Sequence, residues 1–187
     1  MRILIIGAGP AGVTVAETLR QHDEQVEIVM LSHEPFPPYS PPAMLEYFMT
    51  GREVHLWRGR DFPERIGIDY RSGIEAVAID PQARQVELKG GATMIYDRLV
   101  IATGGRLYTP VEGEEKAGIY NFKSLTAATE LLNRVRNREV ETALIVGAGF
   151  IGVEIGLLLA DMGLEVTQLV RSRVMRSMLD PESSQIV

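Results

Sequence analysis

The sequence predicts an α/β fold built from two strand–helix–strand units. Three observations carry that expectation. Two short apolar runs, Ile3 to Ile6 and Ala143 to Val146, each end in a glycine triplet and lead into a helical pattern. The triplets are one motif written twice: Ile5-Ile6-Gly7-Ala8-Gly9-Pro10-Ala11-Gly12 and Ile145-Val146-Gly147-Ala148-Gly149-Phe150-Ile151-Gly152, with Gly147 standing 140 positions after Gly7. Between them the hydrophobic period changes to the short alternation of a small strand meander.

Ile3 to Ile6 is apolar throughout, as a parallel strand covered on both faces reads. Pro10 to Gln21 follows, with Ala11, Val15 and Leu19 on one expected helical face, and Val26 to Leu31 is a second strand. A βαβ opening of this kind builds a parallel sheet. The stretch from Glu34 to Pro42 then holds five of the chain's ten prolines. That density suits a stiff linker of polyproline type, but Phe36 and Tyr39 inside it, and a helical run from Met44 to Met49 behind it, favour a packed loop. Strands are expected at 68–71, 74–79, 84–88, 93–96 and 99–102, with Asp80-Pro81 and Gly90-Gly91 as turns. Leu125 to Val135 reads as a helix, and Ala143 to Val146, Ile151 to Asp161 and Val166 to Val170 repeat the opening order. Only 35 residues follow Gly152, and a βαβ unit takes about 30. The expected organisation is a first domain over 1–122 and an incomplete second domain over 123–187.

At 187 residues, 45% hydrophobic and 24% charged, the chain can bury a core. Nineteen basic against 25 acidic side chains leave a net charge of −6, which argues against nucleic acid as a partner, because phosphate contacts need a basic face. No apolar run approaches the ~20 residues of a membrane span. The run that opens at Met1 is broken by Gly7 and is too short for a signal-peptide core. The expected address is the cytoplasm. Cysteine is absent, which excludes disulfides, thiolate metal sites and Cys-based redox chemistry within the chain. His22, His33 and His55 show no metal-ligand spacing, and no G-x-S-x-G elbow occurs. No metal site is expected.

Both triplets fit G-x-G-x-x-G between a strand and a helix. The first glycine allows the tight turn, the second lets backbone approach a pyrophosphate, and the third lets helix and strand pack closely. The helix N-terminus adds free N–H groups and a partial positive charge. Glycine turns also arise for packing alone, yet two copies in one chain point to two dinucleotides on a Rossmann-like fold. Gly7, Gly9, Pro10, Ala11 and Gly12 would hold one pyrophosphate, and Gly147, Gly149, Phe150, Ile151 and Gly152 the other. An acid after the second strand would hold a ribose hydroxyl. Glu34 is the candidate after Leu31, with Ser32 as a weaker substitute; the alternative for Glu34 is a solvated loop carboxylate. After the second unit, Leu169-Val170-Arg171-Ser172-Arg173 offers no acid. Arg171 is what a 2′-phosphate would ask for, so NADPH is expected over NADH unless Arg171 is only a solvated surface charge.

These residues resemble the N-terminal part of the pyridine nucleotide–disulfide oxidoreductase superfamily, flavoproteins that bind two dinucleotides. Within it the likeness is to ferredoxin and rubredoxin reductases, NADH oxidases and the flavin subunit of assimilatory nitrite reductases. The run from Tyr96 to Gly105, ending in Ala102-Thr103-Gly104, resembles the family's strand end against FAD. Val77 with Asp80-Pro81 resembles the strand end whose backbone touches the adenine, and Gly118-Ile119-Tyr120 with Ser124-Leu125 resembles the link into the nicotinamide domain. The resemblance implies an FAD-dependent NAD(P)H oxidoreductase: hydride passes from NAD(P)H to FAD, and electrons go on to an electron-carrier protein or oxygen. It implies Glu154, near both rings, as the catalytic candidate, with an ordinary first-turn helix acid as the alternative. It also allows a homodimer in a longer form. The other function weighed is a non-enzymatic dinucleotide-binding module or subunit. Four departures stand out. Ser40-Pro41-Pro42-Ala43 lies where disulfide- or peroxide-reducing members carry a redox cysteine. Leu45 stands where ferredoxin-type reductases place a lysine beside the flavin, and Leu107 where the family tends to proline, with Pro110 as a substitute turn. The family's later Gly-Asp motif and interface domain are absent, so the isolated chain is expected to turn over weakly or not at all.

Overall fold

The computed structural model describes residues 1–105, 112–113 and 116–186; the expectations for Leu107 and Pro110 lie outside these residues. The first sheet is wholly parallel. Its strands are β1 (Arg2–Ile6), β2 (Glu27–Leu31), β3 (Asp69–Arg71) and β7 (Arg98–Ile101), in the order β3-β2-β1-β7. Leu4 pairs with Val29 on one side and Leu99 on the other. A separate antiparallel sheet holds β4 (Ala76–Asp80), β5 (Gln85–Leu88) and β6 (Thr93–Ile95).

Side chains alternate along a strand, and here both faces are covered. Ile3, Ile5, Ile28 and Met30 face α1 (Pro10–His22), where Ala16 meets them. Leu4, Ile6, Val29 and Leu31 face the antiparallel sheet, where Val86, Met94 and Tyr96 meet them. This is why β1 and β2 read as unbroken apolar runs. The face of α1 differs from the expected stripe. Gly12, Val13 and Ala16 are buried, Val15 and Leu19 pack at the margin, and Ala11 is exposed. With no side chain at Gly12 the helix sits directly on β1, and the residues one and four places on become the inward ones.

The proline-dense stretch is a packed loop. Pro38 and Glu34 are buried, and Phe36 and Tyr39 pack against Met44, Leu125 and Ala128. A single 3-10 turn, Pro41–Ala43, leads into α2 (Met44–Thr50). One short helix was not legible in the sequence: α3 (Phe62–Arg65) carries Pro63 in its first turn and buries Phe62 completely.

The second unit pairs β8 (Thr142–Val146) with β9 (Glu165–Leu169) in parallel around α5 (Phe150–Asp161). α4 (Leu125–Arg136) joins the two units. Its first half, through Leu125 and Ala128, packs on Met44 of α2, and its second half, through Leu132 and Val135, packs on Leu158, Leu159 and Leu164. Phe48 and Phe122 belong to both clusters and meet edge to face at 5.8 Å. Leu45 packs in the second cluster. Among the described residues no helix is long and apolar enough to cross a membrane.

A Cβ added at Gly12 would lie 2.0 Å from the carbonyl oxygen of Gly7, backbone against backbone, whereas one at Gly9 would meet nothing within 4 Å. Gly12→Ala is therefore expected to lower stability by about 3 kcal/mol, at the upper end of ordinary substitutions. Gly9→Ala should stay within about 0.5 kcal/mol. Urea midpoints of the two variants check the contrast.

Candidate functional site

The strand order divides at β1. The chain leaves β1 through α1 to β2 on one side, and β7 lies on the other. Crevices at such a division, beyond the carboxyl ends of the strands, are where α/β sheets bind ligands. Gly7 and Ala102 follow those two ends. Gly7 takes a φ of +110°, and its N–H donates to the Leu31 carbonyl at 2.8 Å. Ala102 donates to the Ile6 carbonyl at 2.8 Å and lies so close that a Cβ on Gly7 would sit 2.2 Å from its oxygen. Folding thus joins the first triplet to Ala102-Thr103-Gly104, of which Thr103 and Gly104 are exposed.

The N-terminus of α1 opens into the same crevice. Gly9 is the N-cap, no side chain caps the helix, and Pro10 at the first position has no N–H to satisfy. The first-turn N–H groups of Ala11 and Gly12 have no intrahelical acceptor, and the space beside Gly9 is open. Free donors at a helix N-terminus with room in front of them suit a phosphate.

The second loop repeats this geometry. Gly147 has φ +106°, and its N–H donates to the Leu169 carbonyl at 2.9 Å. Gly149 is an uncapped N-cap with open space beside it, and Phe150 and Ile151 are exposed. Beside the loop lies a cavity of about 270 Å³, lined by Gly147, Ala148, Gly149, Val170, Arg171, Ser172, Arg173, Arg176 and Ser177. β9 ends at Leu169, one residue earlier than expected, so Val170 and Arg171 belong to the loop that follows. Met175 N–H, donating to the Ala148 carbonyl at 2.7 Å, ties that loop to the glycine turn. Ser172 and Ser177 were not foreseen as lining residues; the only sequence signal for them is their alternation with arginines.

Glu34 is buried in a hydrogen-bonded knot. Tyr39 Oη donates to its Oε2 at 2.6 Å, and Ser124 Oγ donates to its Oε1. His33, largely exposed, places Nε2 3.9 Å from Oε1. Both hydroxyls also accept from α4: Leu125 N–H donates to Tyr39 Oη at 3.0 Å and Ala127 N–H to Ser124 Oγ at 3.2 Å. Burial, reinforced by Glu34, pushes the Tyr39 phenol well above its ordinary range, so it remains a donor. Tyr39 and Ser124 were legible in the sequence only as a packing aromatic and as part of the link between units, not as partners of Glu34; a serine directly before a helical run was the available signal. Ser32 Oγ accepts from the Glu34 N–H at 3.2 Å. Val77 sits at a β-bulge of β4, about half exposed. Glu154 lies in the second turn of α5, half-buried; the first turn carries no acid, which removes the dipole as its reason for being there. Among the described residues no cluster of metal-ligating side chains occurs.

The fold and its two matching loops define a protein with tandem Rossmann-like nucleotide-binding units. Residues 1–187 match the pyridine nucleotide-disulphide oxidoreductase family throughout, and the chain belongs to that family. It is similar to an NADH oxidase of Methanocaldococcus jannaschii, 29% identical over all of this chain and 44% of that protein. It is similar to the rubredoxin-NAD(+) reductase of Pseudomonas putida, 32% identical over all of this chain and 49% of that protein. Among solved structures, an NAD-dependent persulfide reductase from A. fulgidus superposes with a TM-score of 0.84 at 29% identity, over 100% of this chain and 37% of that one. Putidaredoxin reductase, in its covalent complex with putidaredoxin, gives a TM-score of 0.79 at 28% identity over 98% and 46%. The chain thus spans between 37% and 49% of the length of these four relatives.

His55, packed between Tyr47 (ring centroids 4.2 Å) and Tyr39 (6.5 Å), is buried with Nδ1 lacking any hydrogen-bond partner among the described residues. Desolvation lowers its pKa below the ordinary value of about 6.5. The native state therefore favours the neutral ring, and its contribution is present above pH 6.5 and lost as pH falls below it. Stability is expected to drop between pH 7 and 5, and His55→Phe should flatten that drop in pH-dependent urea midpoints.

Proposed function

We propose that this chain supplies the FAD site and the opening part of the NAD(P)H site of a flavin-dependent oxidoreductase. The observation that carries the reading is the pair of glycine loops with the same dihedral angles, both ending at uncapped helix N-termini with open space at the middle glycine. In this reading residues 1–122 form the flavin domain and 123–187 begin the nicotinamide domain. Gly7, Gly9, Pro10, Ala11 and Gly12 cradle the flavin pyrophosphate, Ala102-Thr103-Gly104 lies along the flavin, and Val77 borders the adenine. Ser32 meets the adenosine ribose, because both carboxylate oxygens of the neighbouring Glu34 are already engaged by Tyr39 and Ser124. Gly147, Gly149, Phe150, Ile151 and Gly152 hold the nicotinamide dinucleotide. A flavin held by these residues would supply the redox chemistry, accepting reducing equivalents from NAD(P)H and yielding electrons to a carrier protein or dioxygen. Glu154, half-buried in the second turn of α5, is the catalytic candidate through its resemblance to the family glutamate near both rings. No cysteine exists in this chain to relay electrons. The rubredoxin reductase and the putidaredoxin complex among the relatives support a carrier protein as acceptor.

The cavity beside the second loop favours NADPH. Three arginines and two serines line it and no acid does, and guanidinium groups pair with a phosphate through short, charge-assisted bonds.

Two measurements on the full-length protein test these readings. The purified protein should be yellow, and Gly9→Leu should abolish flavin absorbance while Gly9→Ala keeps the fold; a colourless wild type would favour a non-enzymatic nucleotide-binding module. Arg171→Ala should lower the NADPH-to-NADH ratio of kcat/KM roughly ten- to a hundredfold, the worth of one charge-assisted contact of about 1.5–3 kcal/mol. An unchanged ratio would make Arg171 a surface charge.

A further inference from the structure

We propose that Glu34 is a positioning residue that sets the angle between the two nucleotide units, through the hydroxyls of Tyr39 and Ser124. The proposal rests on the flavoprotein reading above, because it concerns hydride transfer between those units.

The connectivity is unusual. At the start of α4 the N–H groups of Leu125 and Ala127 need acceptors from outside the helix. Each is met by a hydroxyl, Tyr39 Oη and Ser124 Oγ, and each hydroxyl donates its own hydrogen bond to a different oxygen of the same carboxylate. Glu34 thus ends two parallel chains of hydrogen bonds that begin on α4. Glu34 is 4% exposed, and among the described residues no arginine or lysine is ion-paired to it. The partial positive charge of the α4 N-terminus favours a carboxylate at this place. One chain of bonds would let α4 pivot about a single contact. Two chains ending on the two oxygens of a planar group fix its direction as well as its distance.

The location gives that direction a consequence. Glu34 and Tyr39 belong to the loop that leaves the first sheet, while Ser124 and Leu125 open the helix whose far half packs on α5 and Leu164 of the second unit. The apolar contacts at this joint, Met44 to Ala128 and Phe48 to Phe122, are compatible with small rotations because they carry no directional bond. The knot supplies the directional element. A shift of about 1 Å at a reacting centre can lower a rate about a hundredfold, so loss of one hydroxyl should slow flavin reduction without emptying either site.

Full-length, flavin-loaded protein is mixed anaerobically with NADPH, and the rate of flavin bleaching is followed against NADPH concentration. Ser124→Ala and Tyr39→Phe are each expected to lower the limiting rate about tenfold. Flavin content should stay unchanged and the apparent Kd for NADPH within about twofold. Ser124→Thr, which keeps the hydroxyl, should restore the rate. The double variant should lose less than the product of the single losses, because both act on one carboxylate. A lower melting temperature with the limiting rate intact would overturn the proposal and leave a purely structural knot. Loss of flavin from Ser124→Ala and Tyr39→Phe would also overturn it, assigning the knot to cofactor retention. A full-length wild type without flavin would overturn the preceding reading, and this one with it; a flavin-bound wild type whose variants reduce at the wild-type rate would overturn this one alone.

Discussion

The contact on which the rest of the molecule depends is the one between the carbonyl of Gly7 and the backbone of Gly12. With no side chain at Gly12, the first turn of α1 rests directly on the end of β1. That seating rotates Val13 and Ala16 into the core, and it holds the free N–H groups of the first turn over the crevice between β1 and β7. Packing and ligand geometry are therefore one constraint. A capping side chain at Gly9 would satisfy an N–H group but would occupy the space a phosphate needs. The second unit obeys the same rule: a Cβ on Gly152 would lie 2.4 Å from the Gly147 oxygen.

The two units meet through α4, and the joint explains a departure from the resembled family. A lysine at position 45, a partly buried place, would have to carry its ammonium past an apolar cluster built from Phe48, Phe122, Leu132 and the α5 leucines to reach water. Leu45 instead contributes to that cluster. Polar order at the joint is concentrated a short distance away, where one carboxylate and two hydroxyls meet the helix N-terminus.

Much of this was legible in the sequence because it depends on local rules. The glycine triplets fixed both turns, the apolar runs fixed β1 and β2, and the turn residues placed the meander to within a residue or two. What could not be read depends on contacts between distant segments. The inward face of α1 was misjudged because the period of Ala11, Val15 and Leu19 ignores how closely Gly12 lets the helix approach. α3 is a single turn, too short for any periodicity, and is held by the burial of Phe62. The surroundings of Glu34 were invisible because Ser124 lies 90 positions away. The lining of the cavity beside the second glycine loop by Ser172 and Ser177 depends on a loop tied back by Met175, a backbone bond that side-chain identity does not announce.

The proline-dense loop shows how the chain uses a segment that carries a thiol in some members of the resembled superfamily. Pro41 and Pro42 open the 3-10 turn at the positions where a missing N–H costs nothing. Ser40 N–H donates to the His55 carbonyl at 2.8 Å, and Ala43 N–H to the Ser40 carbonyl at 3.1 Å, so the remaining donors are satisfied. With φ fixed at both prolines, the segment delivers Met44, Leu45 and Phe48 to the joint in one direction and holds Tyr39 against Glu34 in the other. A cysteine here would have to give up part of that rigidity. In the proposed flavoprotein, this loop carries no thiol with which to relay electrons. Redox chemistry is left to the cofactor, and the protein's contribution is the fixed placement of two nucleotides relative to each other.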